Sequence, residues 1–339
     1  MLTIDGSQGE SGGQILRSSL ALAMVTGTPF RMVNIRAKRK RPGLMRQHLT
    51  AVQAAAEVSS AEVIGAEVGA MELTFRPGKV RGGTYKFSIG TAGSTTLVLQ
   101  SVLPALALAT ERSSLTLEGG THNPMSPPYD FLARAFLPVL NRMGPRVEAE
   151  LEQAGFYPAG GGRFRVAISP STKLVPLDLV ERGEVRSKCV TATVAALPRA
   201  IAEREIKLLA RKLEWESSCF RIESARDSLG PGNVITVEIK SEHVAEVFTG
   251  FGEKGVPAER VADNLVDEVS QYLRAGVPVG QHLADQLLLP MALAGQGSFR
   301  TVEPSMHTST QIEVLQQFIG IQIRKDLIGD GVWQFSVGE

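Results

Sequence analysis

Cysteine is scarce in this 339-residue chain: there are two, Cys189 and Cys219. No CxxC pair and no cysteine–histidine cluster of metal-site spacing exists, which excludes a structural zinc module. Two cysteines are compatible with one bridge, but the count points to a reduced, intracellular protein. Long apolar runs are missing too. The longest, "SVLPALALA" and "DQLLLPMALAG", fall short of the roughly 18 residues a membrane span needs. The first residues, "MLTIDGSQGE", lack the basic and apolar regions of a secretory signal. A cytoplasmic protein with no membrane partner is expected. Bulk charge of one sign is also absent, because formal net charge is +1. No global field draws the chain toward nucleic acid, so affinity for a polyanion has to come from a local patch.

What is present is an ordinary globular composition, 43% hydrophobic and 21% charged, long enough for two domains or one large one. It is also repetitive. "SGGQILRSSLALAMVTGTPFRMVNIRA", "TAGSTTLVLQSVLPALALATERSSLTLEGG" and "PVGQHLADQLLLPMALAGQGSFRTVEPS" each start a helix at glycine. Each continues as an Ala/Leu-rich helix, breaks at small residues and ends in a strand. Gln100 precedes Pro104 by four residues, and Gln286 precedes Pro290 by four. Each proline should kink its helix at the same relative point. Second helices follow in "PGLMRQHLTAVQAAAEVSS", "PPYDFLARAFLPVLNRMG" and "TSTQIEVLQQFIG", and closing strands in "MELTFRPG", "GRFRVAIS" and "VWQFSVG". One unit therefore reads βαβαββ, and its apolar helices need a sheet to cover.

The spacing between units is uneven. Gly43 to Pro128 is 85 residues, whereas Gln100 to Gln286 is 186. The excess of about 100 residues is one small domain. The expected fold is α/β, of the α+β type: residues 1–180 and 278–339 form a large three-repeat domain, and 181–277 form a small inserted α/β domain. The insert opens on an alternating strand, with Pro198 leading into a helix. It closes on the amphipathic "ERVADNLVDEVSQYLRAG".

Several segments carry chemistry. "DGSQGESGGQ" has Gly6, Gly9, Gly12 and Gly13 but is neither GxGxxG nor a P-loop. It reads either as tight strand-to-helix packing or as an anion site at a helix start, with Glu10 available to a metal, a ribose or an adenine edge. "GFYPAGGGRF" reads as a β-hairpin. "RAKRKRPGLMRQH" gathers Arg36, Lys38, Arg39, Lys40, Arg41 and Arg46 within 11 residues, followed by Gln47 and His48. Such a run is usually a solvated loop, but here it is a local cluster in a nearly neutral chain, and it suits phosphate contacts on a nucleic acid strand. Aromatic interleaving is absent, so base stacking would need other residues. Arg17 projects from the first helix toward the same patch. In "HNPMSPPYDFLARAF", Tyr129 and Phe131 serve either a base or the core. In "GQHLADQ", Asp285 either favours a helix dipole or stands beside a catalytic histidine or its metal.

The histidine in question is His307, in "EPSMHTSTQI" at the joint between a strand and a helix. By the repeat, its loop corresponds to the basic loop of unit one and the proline loop of unit two, so all three converge. A largely unprotonated imidazole is a competent nucleophile near neutral pH, and attack on a nucleotide α-phosphorus gives an activated phosphoramidate. A turn residue is the plain alternative. A metal ligand fits less well, because no partner ligands lie nearby.

"DGSQGESGGQILRSSL", "RPGLMRQHLTAV", "AGSTTLVLQSVLPAL", "GGTHNPMSPPYDF", "GFYPAGGG", "GPGN", "GEKGV", "LADQLLLPMALAG" and "EPSMHTSTQI" run in order along the whole chain. Together they resemble the RNA 3′-terminal phosphate cyclase family. The resemblance implies an ATP-dependent enzyme acting on RNA 3′-phosphate ends through a covalent histidine–AMP and an RNA(3′)pp(5′)A intermediate, helped by Mg²⁺ or Mn²⁺. It implies His307 as the adenylated residue. It implies a nucleotide pocket of Glu10, Gln100, Pro128, Phe131, Phe248, His282, Leu283, Ala284, Asp285 and Gln286, with Glu10 also a metal ligand. It puts Arg17, Arg36, Arg39 and Arg46 on the RNA phosphate, and it admits a homodimer. The chain departs from the family at His282, where tyrosine is common. Relatives without the nucleophilic histidine act in ribosomal-RNA processing, and a repeat-built carbohydrate-type transferase or a plain RNA-binding module are further readings. The presence of His307 favours the enzyme.

Overall fold

The computed structural model describes residues 1–9, 11–253 and 255–338. Unit one contains β1 (Leu2–Asp5), α1 (Gly13–Thr26), β2 (Phe30–Val33), α2 (Arg46–Ser59), β3 (Glu62–Ile64) and β4 (Leu73–Arg76). Unit two begins with β5 (Thr84–Ser88), α3 (Thr95–Ala107) and β6 (Ser113–Gly119). Its second helix is composite: α4 (Tyr129–Phe131) passes through a π-helical stretch, Leu132–Phe136, into α5 (Leu137–Arg142). β7 (Arg146–Gln153) and β8 (Gly162–Ser169) close the unit.

Unit three opens with β9 (Leu177–Leu179), and the chain then leaves it. The excursion contains β10 (Val185–Ala195), α6 (Arg199–Leu213), β11 (Phe220–Ser224), β12 (Gly232–Ser241), β13 (Ala245–Phe251) and α7 (Ala258–Ala275). Unit three resumes with α8 (Gln281–Ala294), β14 (Gly297–Thr301), α9 (Met306–Ile319), β15 (Ile323–Gly329) and β16 (Val332–Val337).

The three units share one sheet plan. Strand orders are β1-β2-β4-β3, β5-β6-β8-β7 and β9-β14-β16-β15. In each, the first two strands pair in parallel across a helical crossover and the remaining pairs are antiparallel. β8 shows why one face of each sheet is covered: Phe164, Val166 and Ile168 point into the core, while Arg163 and Arg165 face out. The covering layer is α1, α3 and α8 with their partner helices. Ten of the fourteen residues of α1 are buried, so it is packed nearly all round, as its Ala/Leu content requires. The expected three-repeat fold is therefore present. The strands within 185–251 form a separate sheet, β11-β10-β12-β13, and α7 covers it with Val261, Ala262, Leu265, Val269 and Tyr272 at helical spacing.

The insert is latched to the repeats at the start of α8. Glu246 on β13 accepts the Gly280 N–H at 2.6 Å and the Val247 N–H at 3.0 Å. Tyr272 donates to the Pro278 carbonyl at 3.1 Å. Among the described residues, no helix is long and apolar enough to cross a membrane.

Candidate active site

Helices from all three units supply one cluster of polar side chains. α1 brings Gln14 and Arg17, α3 brings Gln100, α8 brings Asp285 and Gln286, and α9 brings His307 and Gln311. His307 is not at a joint before its helix but in its first turn, because Ser305 caps α9 by accepting the Thr308 N–H.

His307 Nδ1 lies 2.6 Å from Gln14 Oε1, and Gln14 Nε2 donates to Gln311 Oε1 at 3.0 Å. With its amide turned this way, Gln14 offers His307 only a carbonyl, so Nδ1 carries the proton. The imidazole lone pair is then on Nε2. Asp285 is 6% exposed and accepts from Ser305 Oγ at 2.8 and 3.0 Å and from Thr308 Oγ1 at 2.5 Å. Burial raises its pKa above the usual carboxylate range; the two hydroxyls, then His307 and His282, pull the other way. Asp285 thus ties α8 to the turn that presents His307.

Gln100 and Gln286 occupy matching places in units two and three, and the repeat brings them face to face: Gln100 Nε2 donates to Gln286 Oε1. Arg17 Nε donates to Gln100 Oε1 at 2.8 Å. Behind them, Pro104, Pro290, Leu103, Leu289 and Phe136 line a cavity of about 40 Å³. The paired Gln–x₃–Pro spacing read from the sequence therefore marks this contact.

The basic loop is folded back on the glycine-rich turn. Arg36 adopts a left-handed backbone, φ 55°, and its Nη1 donates to the carbonyls of Arg41 at 2.7 Å and Gly43 at 2.8 Å. Half of that guanidinium therefore shapes the loop. The Lys38 N–H bonds Ser11 Oγ at 3.2 Å and Arg39 Nε the Ser11 carbonyl at 3.4 Å. Gly43 has φ 78°, and a Cβ there would stand 2.3 Å from the Gly69 carbonyl oxygen, so glycine is required. Arg46 is exposed at the start of α2.

Five participants escaped sequence reasoning: Gln14, Gln311, Ser305, Thr308 and the role of His48. His48 is buried, and its Nδ1 accepts the Met45 N–H at 3.2 Å, which leaves the proton on Nε2. Burial, then Arg36 and Arg17, push its pKa down to about 3. A Cβ on Gly13 would lie 2.4 Å from His48 Nε2 and 2.8 Å from Arg17 Nη1. A neutral N–H donor and a guanidinium thus converge on the first turn of α1, an arrangement suited to an oxyanion.

The remaining sequence candidates are scattered. Gln100, Asp285 and Gln286 join the His307 cluster. Pro128, Phe131 and Phe248 lie where β13 runs beside the helix starting at Tyr129. There Phe131 is 3% exposed, and Phe248 is 4% exposed against Tyr272, with ring centroids 5.2 Å apart. Leu283 and Ala284 are fully buried core. His282 is exposed, with Nε2 3.8 Å from Glu268. Glu10, the proposed metal and nucleotide ligand, lies outside the described residues.

The fold and site define an α/β protein of three βαβαββ repeats with His307 held at the meeting point of their helices. Residues 8–325 match the model of the RNA 3′-terminal phosphate cyclase family, and the chain belongs to that family. A protein of Koribacter versatilis (strain Ellin345) named RNA 3′-terminal phosphate cyclase is 50% identical over 321 residues, 95% of this chain and 90% of its own. One of the same name from Ectopseudomonas mendocina (strain ymp) is 51% identical over 322 residues, 95% of this chain and 94% of its own. The solved enolpyruvyl transferase NikO from Streptomyces tendae aligns at a TM-score of 0.37 and 12% identity, over 99% of this chain and 48% of that one.

Proposed function

We propose that this protein is an ATP-dependent, cytoplasmic enzyme that converts an RNA 3′-terminal phosphate into a 2′,3′-cyclic phosphodiester. The observation that carries the reading is the 2.6 Å contact of His307 Nδ1 with Gln14 Oε1, which aims the lone pair through Nε2. Nε2 attacks the α-phosphorus of ATP; an N–P bond forms, the P–O bond to the β-phosphate breaks, and pyrophosphate leaves. An RNA 3′-phosphate oxygen then takes the adenylyl group from His307, giving RNA(3′)pp(5′)A. The vicinal 2′-OH attacks the 3′-phosphorus, loses its proton, and AMP departs.

Positioning and charge neutralisation do most of this work. Arg17 and the His48 Nε2–H meet beside Gly13 and would receive a phosphate oxygen, with Arg39 and Arg46 nearby along the strand. Arg36 contributes by holding the loop as well as by its charge. Asp285, Gln286 and Gln100 would position the nucleotide, with His282 at its exposed edge. Pro128, Phe131, Phe248, Leu283 and Ala284 would shape the pocket from behind. Mg²⁺ or Mn²⁺ would supply charge neutralisation on the triphosphate. Among the described residues, no group of three His, Cys, Asp or Glu side chains is arranged to hold a metal. An ion that arrives on substrate phosphates needs only one or two carboxylates.

The test is an RNA oligonucleotide ending in a labelled 3′-phosphate. With ATP and metal, the label should become resistant to phosphatase and be released as cyclic phosphate after nuclease digestion. Resistance arising without ATP, or never arising in folded protein, would contradict the reading.

A further inference from the structure

A second surface leads away from His48 toward unit two, and the chemistry above does not use it. Gln47 lies against Gly93, where a Cβ would stand 3.1 Å from Gln47 Cβ, and its Oε1 accepts the Ser94 N–H at 2.6 Å. The adjoining Thr91–Ala92 segment supports the next loop: a Cβ on Gly160 would lie 2.8 Å from Ala92 Cα. Beyond that contact opens a groove of about 370 Å³, lined by Gly90, Thr91, Glu118, Gln153, Ala159 and Arg163 among others. Its size is that of a pocket for a nucleotide-sized ligand, within the range of roughly 300–1,000 Å³.

The groove is walled by backbone and polar edges. Glu118 is matched by Lys86 at 2.9 Å and Arg163 at 3.7 Å, so it brings acceptor oxygens without uncompensated charge. Carboxylates of this kind accept from base amino groups. Two residues before the lining residue Ala159, Tyr157 is 70% exposed. Leu229 is 72% exposed and lies on Gly161, where a Cβ would stand 2.3 Å from Leu229 Cδ1. An exposed phenol ring two residues along the chain from the groove's wall is available to a stacked base, and stacking tolerates any base.

We propose that this groove binds the single-stranded RNA just upstream of the 3′-phosphate, with Tyr157 as the stacking platform and Glu118 and Arg163 at the base edges. The proposal rests on the RNA reading given above. Its occupant follows from continuity: the path runs from the oxyanion donors at His48 through the adjacent Gln47 and the 91–93 loop into the groove, with exposed Arg46 beside it. This places the first stacking residue on unit two, where the basic run itself has none.

The experiment compares Tyr157→Ala with the wild-type protein in binding fluorescent oligonucleotides ending in a 3′-phosphate, one of ten nucleotides and one of two, followed by anisotropy. Self-adenylation with ATP alone is measured in parallel. Loss of one stacking platform should raise Kd for the ten-nucleotide RNA about tenfold, leaving the dinucleotide and adenylation unchanged. Arg163→Ala, on another element of the groove, keeps the test open if Tyr157→Ala does not fold. Unchanged decamer binding in both variants, or an equal rise for both lengths, would overturn the proposal. A length-dependent loss of binding in a protein that never adenylates would uphold the groove and remove the catalytic reading.

Discussion

Gln14 decides which nitrogen of His307 holds the proton, and Gln311 decides which way Gln14 faces. Replacing Gln14 with alanine removes the carbonyl that selects the tautomer. Adenylation of Gln14→Ala should fall by about 10²-fold, the scale of a misoriented reacting group, with a changed pH–rate profile and a modestly lowered melting temperature, since buried Gln311 loses its partner. Single-turnover labelling across pH checks this; an unchanged rate and profile would reduce Gln14 to a packing residue. The pairing was invisible in the sequence, because 293 residues separate its members and glutamine carries no motif. His307 was legible by contrast: a lone histidine among hydroxyl residues, at a position the repeat aligned with the other two loops. Its neighbours show why hydroxyls are there. Ser305 and Thr308 are the donors that fill Asp285.

At the scale of elements, the start of α9 is held twice, by the Ser305 cap and by the bond from the same hydroxyl to Asp285. Ser305→Ala should cost about 1 kcal/mol or more, since the Thr308 N–H loses its capping acceptor and the buried Asp285 carboxylate loses a donor. Adenylation should fall more than Thr308→Ser reduces it. Chemical denaturation beside the labelling assay distinguishes this from simple destabilisation, and full activity in Ser305→Ala would contradict it. The helices and closing strands were readable because their periodicity and breaks repeat three times. What could not be read was which face each side chain takes. Arg36 looked like a free cation, but its own loop occupies half its guanidinium. Phe248 looked available to a ligand, but its ring packs on Tyr272. Both depend on tertiary contacts that local pattern does not encode.

For the whole molecule, the inserted sheet and the repeats are joined by a buried carboxylate. Burial raises the pKa of Glu246 to about 8, against the opposing effect of the Gly280 and Val247 N–H groups. In the unfolded chain the same carboxyl ionises near its ordinary 4.5. Between those values the unfolded state binds fewer protons than the folded one, so stability falls as pH rises through this window. Glu246→Gln should flatten the decline in melting temperature from pH 5 upward, whatever its absolute stability; a slope identical to wild type would show that Glu246 does not titrate this way. The unequal repeat spacing signalled extra chain of about 100 residues, and the separate β11-β10-β12-β13 sheet lies between β9 and α8. The latch was not legible, because a glutamate in an alternating strand gives no sign that it bonds the residue preceding a helix in another unit.

Adenylation of His307 is the proposal from which the cyclase chemistry follows. The most direct measurement is incubation of the protein with ATP labelled at the α-phosphate and a divalent metal, followed by denaturing electrophoresis, with His307→Asn alongside. An acid-labile, alkali-stable labelled band in the wild type and none in the folded variant is the predicted result. A band of equal strength in His307→Asn, or none in folded wild-type protein, would contradict it.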